Sequence, residues 1–382
     1  MLRRCQFTLI KLIFFLVSCF LSTSLLIVTR ADNVNSSCHG TGICKNLYEC
    51  LPVLNQFKQN NTRPVFCSEE DEIVCCPVEV QNENARISEK KCVEYLKHVF
   101  EEVKTLPDDP EDEFEIAHID RCGIQVQEYA IEGGEDASHR EYPHMTAIGD
   151  DSIEVDGIED YILWFCGGSL ISENFVITAA HCIVTENAIS PKIVKFGALN
   201  FDIDEPSAKT YEIEQAIAHP EYVRQFVYHD IGLLKLKENV KLDFNVRPIC
   251  LSPADTSLQF KSIWATGWGK KKGEGYEGIL QKLQLPLVTE SQCGMTYTPK
   301  RTKRLPNGLN GKILCYGAIR GKDTCPGSSG GPIQVPSRNV YCSYYLVGIT
   351  SAGVRCTEGY PGLFTKVSEY LDWIEDTVWN VK

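Results

Sequence analysis

The sequence predicts an all-β domain of barrel type that closes with a helix, preceded by a small module held together by disulfides. Three observations carry this reading. From Ile131 onward, short β-branched and aromatic runs such as Phe175-Val176-Ile177-Thr178, Ile193-Val194-Lys195-Phe196 and Tyr344-Tyr345-Leu346-Val347 are punctuated by Gly and Pro. The stretch Tyr370 to Trp379 sets Leu371, Ile374 and Val378 on one helical face, as a terminal helix docked on a core requires. Cys38, Cys44, Cys50, Cys67, Cys75 and Cys76 crowd into under forty residues with few aliphatics, a segment too small to hold a core without covalent staples.

Along the chain, residues 1–30 carry Arg3 and Arg4 and then a long apolar run, which reads as a secretory signal peptide. The run approaches the roughly 20 residues needed to span a bilayer, so a signal anchor is the alternative; soluble secretion without stable membrane association is the expectation. Residues 37–77 form the cysteine-rich module. Asn35 and Asn60 begin Asn-X-Ser/Thr sequences that can accept glycans on exposed loops. Residues 78–130 read as a linker, with a short helix expected from Cys92 to Lys104 and the acidic run Asp108 to Glu113 as a solvated stretch. Residues 131–382 form the large domain.

With 382 residues and 43% hydrophobic content, the chain can bury a sizeable core. Its net charge of -13 argues against a nucleic-acid partner, which calls for clustered Lys and Arg. Of 18 cysteines, Cys5 and Cys19 fall in the leader, and the even remainder suits disulfides in an oxidising compartment. Zinc is disfavoured, because the adjacent pair Cys75-Cys76 cannot readily place both thiolates on one tetrahedral ion. The acidic stretch Asp202 to Glu205 has no convincing calcium-ligand pattern, so neither a metal nor a cofactor is expected.

The chemistry is concentrated in three segments. Thr178-Ala179-Ala180-His181-Cys182, His229-Asp230-Ile231-Gly232-Leu233-Leu234 and Cys325-Pro326-Gly327-Ser328-Ser329-Gly330-Gly331-Pro332 supply a His, an Asp and a Ser in that order. A serine hydroxyl is a weak nucleophile at neutral pH and needs a base, itself held by an acid, to take its proton. The order and flanks resemble the trypsin-like, or chymotrypsin-family, serine proteases over residues 131–382. The spacing of the six early cysteines and their terminal Cys-Cys-Pro resemble the clip domain of arthropod protease zymogens, and the linker resembles that of the snake and persephone subgroup.

That resemblance implies a trypsin-like double β-barrel with the cleft between barrels. It assigns Ser329 as nucleophile, His181 as general base and acid, Asp230 as the residue that orients His181, and the N–H groups of Gly327 and Ser329 as the oxyanion hole. Asp323 would lie at the base of the primary pocket and select Arg or Lys, with Gly353 and Gly362 leaving the pocket open. The implied disulfides are Cys38–Cys75, Cys44–Cys67, Cys50–Cys76, Cys122–Cys250, Cys166–Cys182, Cys293–Cys315 and Cys325–Cys356, with Cys92–Cys342 as the remaining pair. Activation would cut between Ala130 and Ile131.

Three residues that bear on activation depart from the family pattern, and Ala352 stands where the family usually has an aromatic. Ala130 replaces the usual basic residue, Glu132 is atypical in Ile131-Glu132-Gly133-Gly134, and Ser328 stands where the family has the Asp that pairs with the new amino terminus. The leading expectation is a secreted serine endopeptidase zymogen cutting after Arg or Lys in an extracellular cascade. Its partners would be downstream zymogens as substrates, an upstream activating protease and serpin inhibitors. The alternative is a catalytically impaired homologue that acts by binding, because Ser328 cannot neutralise a buried ammonium.

Overall fold

A computed structural model describes residues 35–38, 42–69, 72–77, 85–105, 115–124, 134–152, 162–185, 189–201, 203, 205–252, 260–268, 278–297, 303–318, 328–353 and 359–380. The chain divides into two compact units, Met1–Glu83 and Asn84–Lys382. In the first, β1 (Ser37–Cys38), β2 (Gly42–Asn46), β3 (Phe66–Ser68) and β4 (Ile73–Pro77) form a sheet in the order β1-β2-β4-β3. Helix α1 (Leu51–Asn60) starts with Pro52 in its first turn, where the missing N–H costs nothing, and ends at Asn61 in the left-handed conformation. It contributes the fully buried Leu54. Disulfides Cys38–Cys75, Cys44–Cys67 and Cys50–Cys76 staple this unit. Asn35 and Asn60 are both exposed.

The second unit opens with α2 (Ile87–Glu94), a 3-10 turn at Tyr95–Val99 and an antiparallel hairpin of β5 (Phe100–Thr105) and β6 (Glu115–Asp120). The helix expected over Cys92 to Lys104 therefore lies earlier in the chain. Its start is set by Glu89, whose carboxylate accepts the Arg86 N–H at 3.3 Å. The alternating Phe100-Glu101-Glu102-Val103-Lys104-Thr105 pairs as a strand instead. The acidic run from Asp108 to Glu113 lies outside the described residues.

Two disulfides differ from those the resemblance implies. Cys92 pairs with Cys250, and Cys122 pairs with Cys342, exchanging the partners of the Cys122–Cys250 and Cys92–Cys342 scheme. The reason is the way this segment docks. Helix α2 lies against Cys250, held by Ser88 Oγ donating to Glu375 Oε1 at 2.5 Å and by Arg86 Nε donating to the same oxygen at 3.1 Å. The β5–β6 hairpin then carries Cys122 past the bond from Tyr341 Oη to Asp120 Oδ2, at 2.9 Å, to reach Cys342.

The remaining strands build the two-barrel architecture. They are β7 (Glu135–Asp136), β8 (Met145–Asp150), β9 (Leu163–Leu170), β10 (Phe175–Thr178), β11 (Ile193–Phe196), β12 (Lys209–Ala218) and β13 (Gly232–Leu236), then β14 (Cys250–Leu251), β15 (Ser262–Gly267) and β16 (Gln281–Pro286). After α3 (Glu290–Thr296) come β17 (Ile313–Gly317), β18 (Pro332–Pro336), β19 (Tyr344–Ala352), β20 (Pro361–Lys366) and α4 (Leu371–Trp379). The first barrel closes in the order β10-β13-β12-β11-β8-β9. The second sheet runs β17-β20-β19-β18-β15-β16-β7, and its two sides meet where Leu287, just past β16, bridges Tyr316 in β17. Helix α4 sets Leu371, Ile374 and Val378 into the large core.

A buried polar chain ties the barrels together. His144 Nε2 meets Gln334 Oε1 at 2.5 Å, Gln334 Nε2 donates to Thr266 Oγ1 at 3.0 Å, and Thr266 Oγ1 donates to Met145 Sδ at 3.0 Å. A second link is the buried ion pair of Lys282 and Glu141, with Nζ 2.8 and 3.1 Å from the two carboxylate oxygens. Together with the β7–β16 pairing and the Ala137 N–H to Leu280 carbonyl bond of 2.8 Å, it anchors the segment that begins just after the expected activation bond.

Burial pushes His144 down from its ordinary 6.5 to about 3. The folded chain thus keeps His144 neutral in a window where the unfolded chain takes up a proton, so stability falls as pH drops from about 6.5 towards 3. Denaturant titrations across that window are expected to lose on the order of 4 kcal/mol from this group alone. His144→Gln should flatten the pH dependence; an unchanged slope would show that the imidazole does not contribute it.

Candidate active site

His181 sits in a 3-10 turn, Ala180–Cys182, that follows β10 directly. The Cys166–Cys182 disulfide ties this turn to β9. Asp230 lies in the connection between β12 and β13 and is 1% exposed. Its Oδ2 meets His181 Nδ1 at 2.8 Å and its Oδ1 accepts the His181 backbone N–H at 2.9 Å. This two-point contact fixes the ring: Nδ1 carries the proton facing the carboxylate, and Nε2 is left with a lone pair able to accept one.

The second barrel completes the carboxylate's shell. Ser351 Oγ, in β19, donates to Asp230 Oδ2 at 2.5 Å, and Thr365 Oγ1, in β20, donates to the Asp230 carbonyl at 2.8 Å. In the sequence nothing marks Ser351 beyond its place two residues before Gly353. Its bond to Asp230 spans 121 residues and has no local sequence signature.

Ser329 stands on a tight turn before β18, closed by the Gly331 N–H donating to the Ser328 carbonyl at 2.9 Å. The turn is bonded on both sides. The Gly167 N–H, in β9 of the first barrel, donates to the Ser329 carbonyl at 2.8 Å, while within the second barrel the Gly330 N–H donates to the Thr350 carbonyl at 2.9 Å and the Thr350 N–H donates to the Gly331 carbonyl at 2.9 Å. Gly330 has φ +75°, and a Cβ there would stand 2.2 Å from Thr178 Oγ1, 2.6 Å from the Gly167 carbonyl and 3.1 Å from Cys182 Sγ. The Ser329 turn is therefore pressed against the disulfide-linked turn that bears His181. Ser328 packs its side chain against Gly267 of β15, where an added Cβ would meet Ser328 Oγ at 3.0 Å and Cα at 3.2 Å.

Of the residues expected to shape specificity, Gly362 is buried in β20 opposite Tyr316. Gly353 is exposed beyond the end of β19, and a Cβ there would meet nothing within 4 Å, leaving open space. The Cys293–Cys315 disulfide and the bond from Tyr297 Oη to the Pro361 carbonyl brace the same side of the second barrel. Asp323, Cys325, Gly327, Cys356, Ala130, Ile131 and Glu132 lie outside the described residues. The thiols of Cys166 and Cys182, close to His181, are consumed by their disulfide and are not free for a metal.

The buried, hydrogen-bonded Asp230 carboxylate can hold a protonated His181 ring, which is what acyl transfer asks of a base and its orienting acid. Comparison with known proteins agrees with this chemistry. Residues 131–374 match the family described as Trypsin. The Drosophila melanogaster protein named Serine protease snk is 34% identical over 347 residues, covering 88% of this chain and 75% of its own length. Venom serine protease Bi-VSP of Bombus ignitus is 31% identical over 358 residues, covering 90% of each chain. Phenoloxidase-activating factor 3 of Holotrichia diomphalia is 33% identical over 273 residues, covering 67% of this chain and 74% of its own.

Gly330→Ala tests the close approach directly. A non-glycine residue in the left-handed region costs about 1–3 kcal/mol, and the clash with Thr178 adds to it. Chemical denaturation is expected to show a loss of at least about 2 kcal/mol, together with loss of turnover; a variant of parental stability would contradict the described turn.

Proposed function

The chain belongs to the trypsin family of serine proteases and is a serine-type endopeptidase; on that premise, we propose that it is a secreted zymogen that cuts protein substrates after Arg or Lys within an extracellular protease cascade. The observation that carries the catalytic part is the Asp230–His181 pair, held at 2.8 Å with Asp230 buried, beside a Ser329 turn that only glycine at 330 permits. In this reading Ser329 Oγ attacks the scissile carbonyl as its proton passes to His181 Nε2. Asp230 stabilises the imidazolium, and His181 then returns the proton to the leaving amine. The N–H groups of Gly327 and Ser329 receive the oxyanion. Water repeats the cycle on the acyl-enzyme.

Specificity for basic residues is assigned to Asp323, six positions before Ser329, with Gly353 and Gly362 keeping the pocket open. Activation is assigned to the Ala130–Ile131 bond. The residue before the cut is not basic, so the activator is a protease of different specificity from this chain. The amino-terminal ammonium freed there would find Ser328 where the family places a carboxylate, which makes the switch, rather than the triad, the unusual part of this enzyme. Downstream zymogens as substrates and serpins as inhibitors follow from the same reading, as does secretion from the leader at 1–30. Among the described residues no helix is long and apolar enough to cross a membrane.

The test is hydrolysis of peptide amides by the full chain after cleavage at Ala130–Ile131. Arg- and Lys-ended substrates are expected to turn over, and Asp323→Ser is expected to cut kcat/KM for them about a hundredfold, the worth of a charge-assisted hydrogen bond in a closed pocket. Preference for an apolar or acidic residue, or indifference to Asp323→Ser, would overturn the specificity.

A further inference from the structure

Immediately beside the catalytic Asp lies a second cluster of ligating side chains that the protease chemistry does not use. Strands β12 and β13 pair to their ends at Ala218 opposite Gly232, and the ladder continues with the His219 N–H donating to the Ile231 carbonyl at 3.0 Å. This brings His219 across from His229, and their rings stack at 5.0 Å with 14° between planes. Glu221 follows in the turn after β12, its N–H donating to His219 Nδ1 at 3.2 Å. Its Oε2 stands 3.4 Å from His229 Nε2, and ligand atoms of all three residues lie within 4.8 Å of one another.

We propose that His219, Glu221 and His229 form a binding site for a divalent transition-metal ion of the zinc type, placed one residue from the catalytic Asp230. The distances support it. Zinc binds His nitrogen at about 2.0–2.1 Å and carboxylate oxygen at about 2.0–2.2 Å, so two such ligands at a tetrahedral angle stand roughly 3.3–3.4 Å apart. The His229–Glu221 separation matches that edge and is long for a hydrogen bond. His229 Nδ1 faces Tyr370 Oη at 3.3 Å, the outer partner that orients a ligating imidazole and leaves Nε2 free for the ion. His219 closes the site by turning its ring out of the stack, and water takes the fourth position.

The electrostatics suit neutral ligands. Burial holds both imidazoles below their ordinary value, assisted at His229 by Lys312 and at His219 by His229, while Glu221 opposes. Both rings therefore offer lone pairs at neutral pH. Lys312, whose ammonium rests 5.5 Å over the Tyr370 ring, is the cation that an incoming ion must face, and Glu221 is the carboxylate that compensates it.

The site bears on catalysis through the backbone. His229 sits at φ +55°, in the left-handed region, and its carbonyl accepts the Ile231 N–H at 2.8 Å, so Asp230 is the centre of a strained three-residue turn. An ion drawing on the His229 ring pulls on that turn and displaces the Asp230–His181 alignment. The effect would be a lower kcat at unchanged KM, a consequence that rests on the proposed protease mechanism.

Binding and catalysis are tested separately. Calorimetric titration of zinc chloride into the uncleaved full chain is expected to show one ion bound, with the affinity reduced about tenfold or more by Glu221→Gln and by His219→Asn. No binding, or equal affinity in the parent and both variants, overturns the site whether or not the protein is an active protease. In the cleaved enzyme, zinc is expected to lower kcat in the parent and to leave both variants unaffected. Equal inhibition of all three would place the metal elsewhere, on His181 itself, and overturn the coupling to Asp230.

Discussion

Everything at the catalytic centre depends on keeping one carboxylate charged inside the protein. Asp230 is almost wholly removed from water, and an unpaired buried carboxylate costs several kcal/mol. The fold meets that cost with donors drawn from both barrels: the His181 backbone and ring from the first, and Ser351 from the second. Because the donors come from separate sheets, the barrels cannot slide past one another without stripping the carboxylate. The bonds that fix the Asp230 carboxylate are thus also bonds between the barrels.

Other contacts reinforce that dependence. The Ser329 turn bridges the barrels through main-chain bonds, from Ser329 to Gly167 on one side and from Gly330 to Thr350 on the other, and glycine at 330 lets it approach the Cys166–Cys182 bridge. The His144–Gln334–Thr266 chain repeats the theme with neutral groups away from the nucleophile. The segment before the catalytic domain is fastened to this body by two disulfides and by the Arg86 and Ser88 contacts to buried Glu375. Those bonds lie on either side of the Ala130–Ile131 bond in sequence, so cutting there would leave both pieces joined.

Local chemistry was legible in the sequence. Strand runs such as Phe175 to Thr178, the terminal face of Leu371, Ile374 and Val378, and the flanks of His181, Asp230 and Ser329 all announce themselves over a few residues, because periodicity and turn chemistry are short-range. Pairings across the chain were not. Which of Cys92 and Cys122 meets Cys250 depends on α2 docking against Glu375, nearly three hundred residues away, and cysteine spacing does not encode that. The helix placed over Cys92 to Lys104 failed for a related reason, since pairing of β5 with β6 overrides local helical preference. Ser351, and the buried pair of Lys282 with Glu141, likewise appear only once the sheets are assembled.

The residue that sets this chain apart is Ser328, a hydroxyl packed on Gly267 in a position where the family carries a carboxylate. In the proposed mechanism the Asp230–His181 pair is expected to act even when the switch beside it is altered, because its alignment uses no contact from Ser328. The direct measurement is covalent labelling of the chain by a fluorophosphonate after cleavage at Ala130–Ile131, with the modified peptide identified by mass. The account predicts label on Ser329 in the native sequence. Label absent from the native chain but present in Ser328→Asp would contradict it and leave a protein that binds rather than cuts.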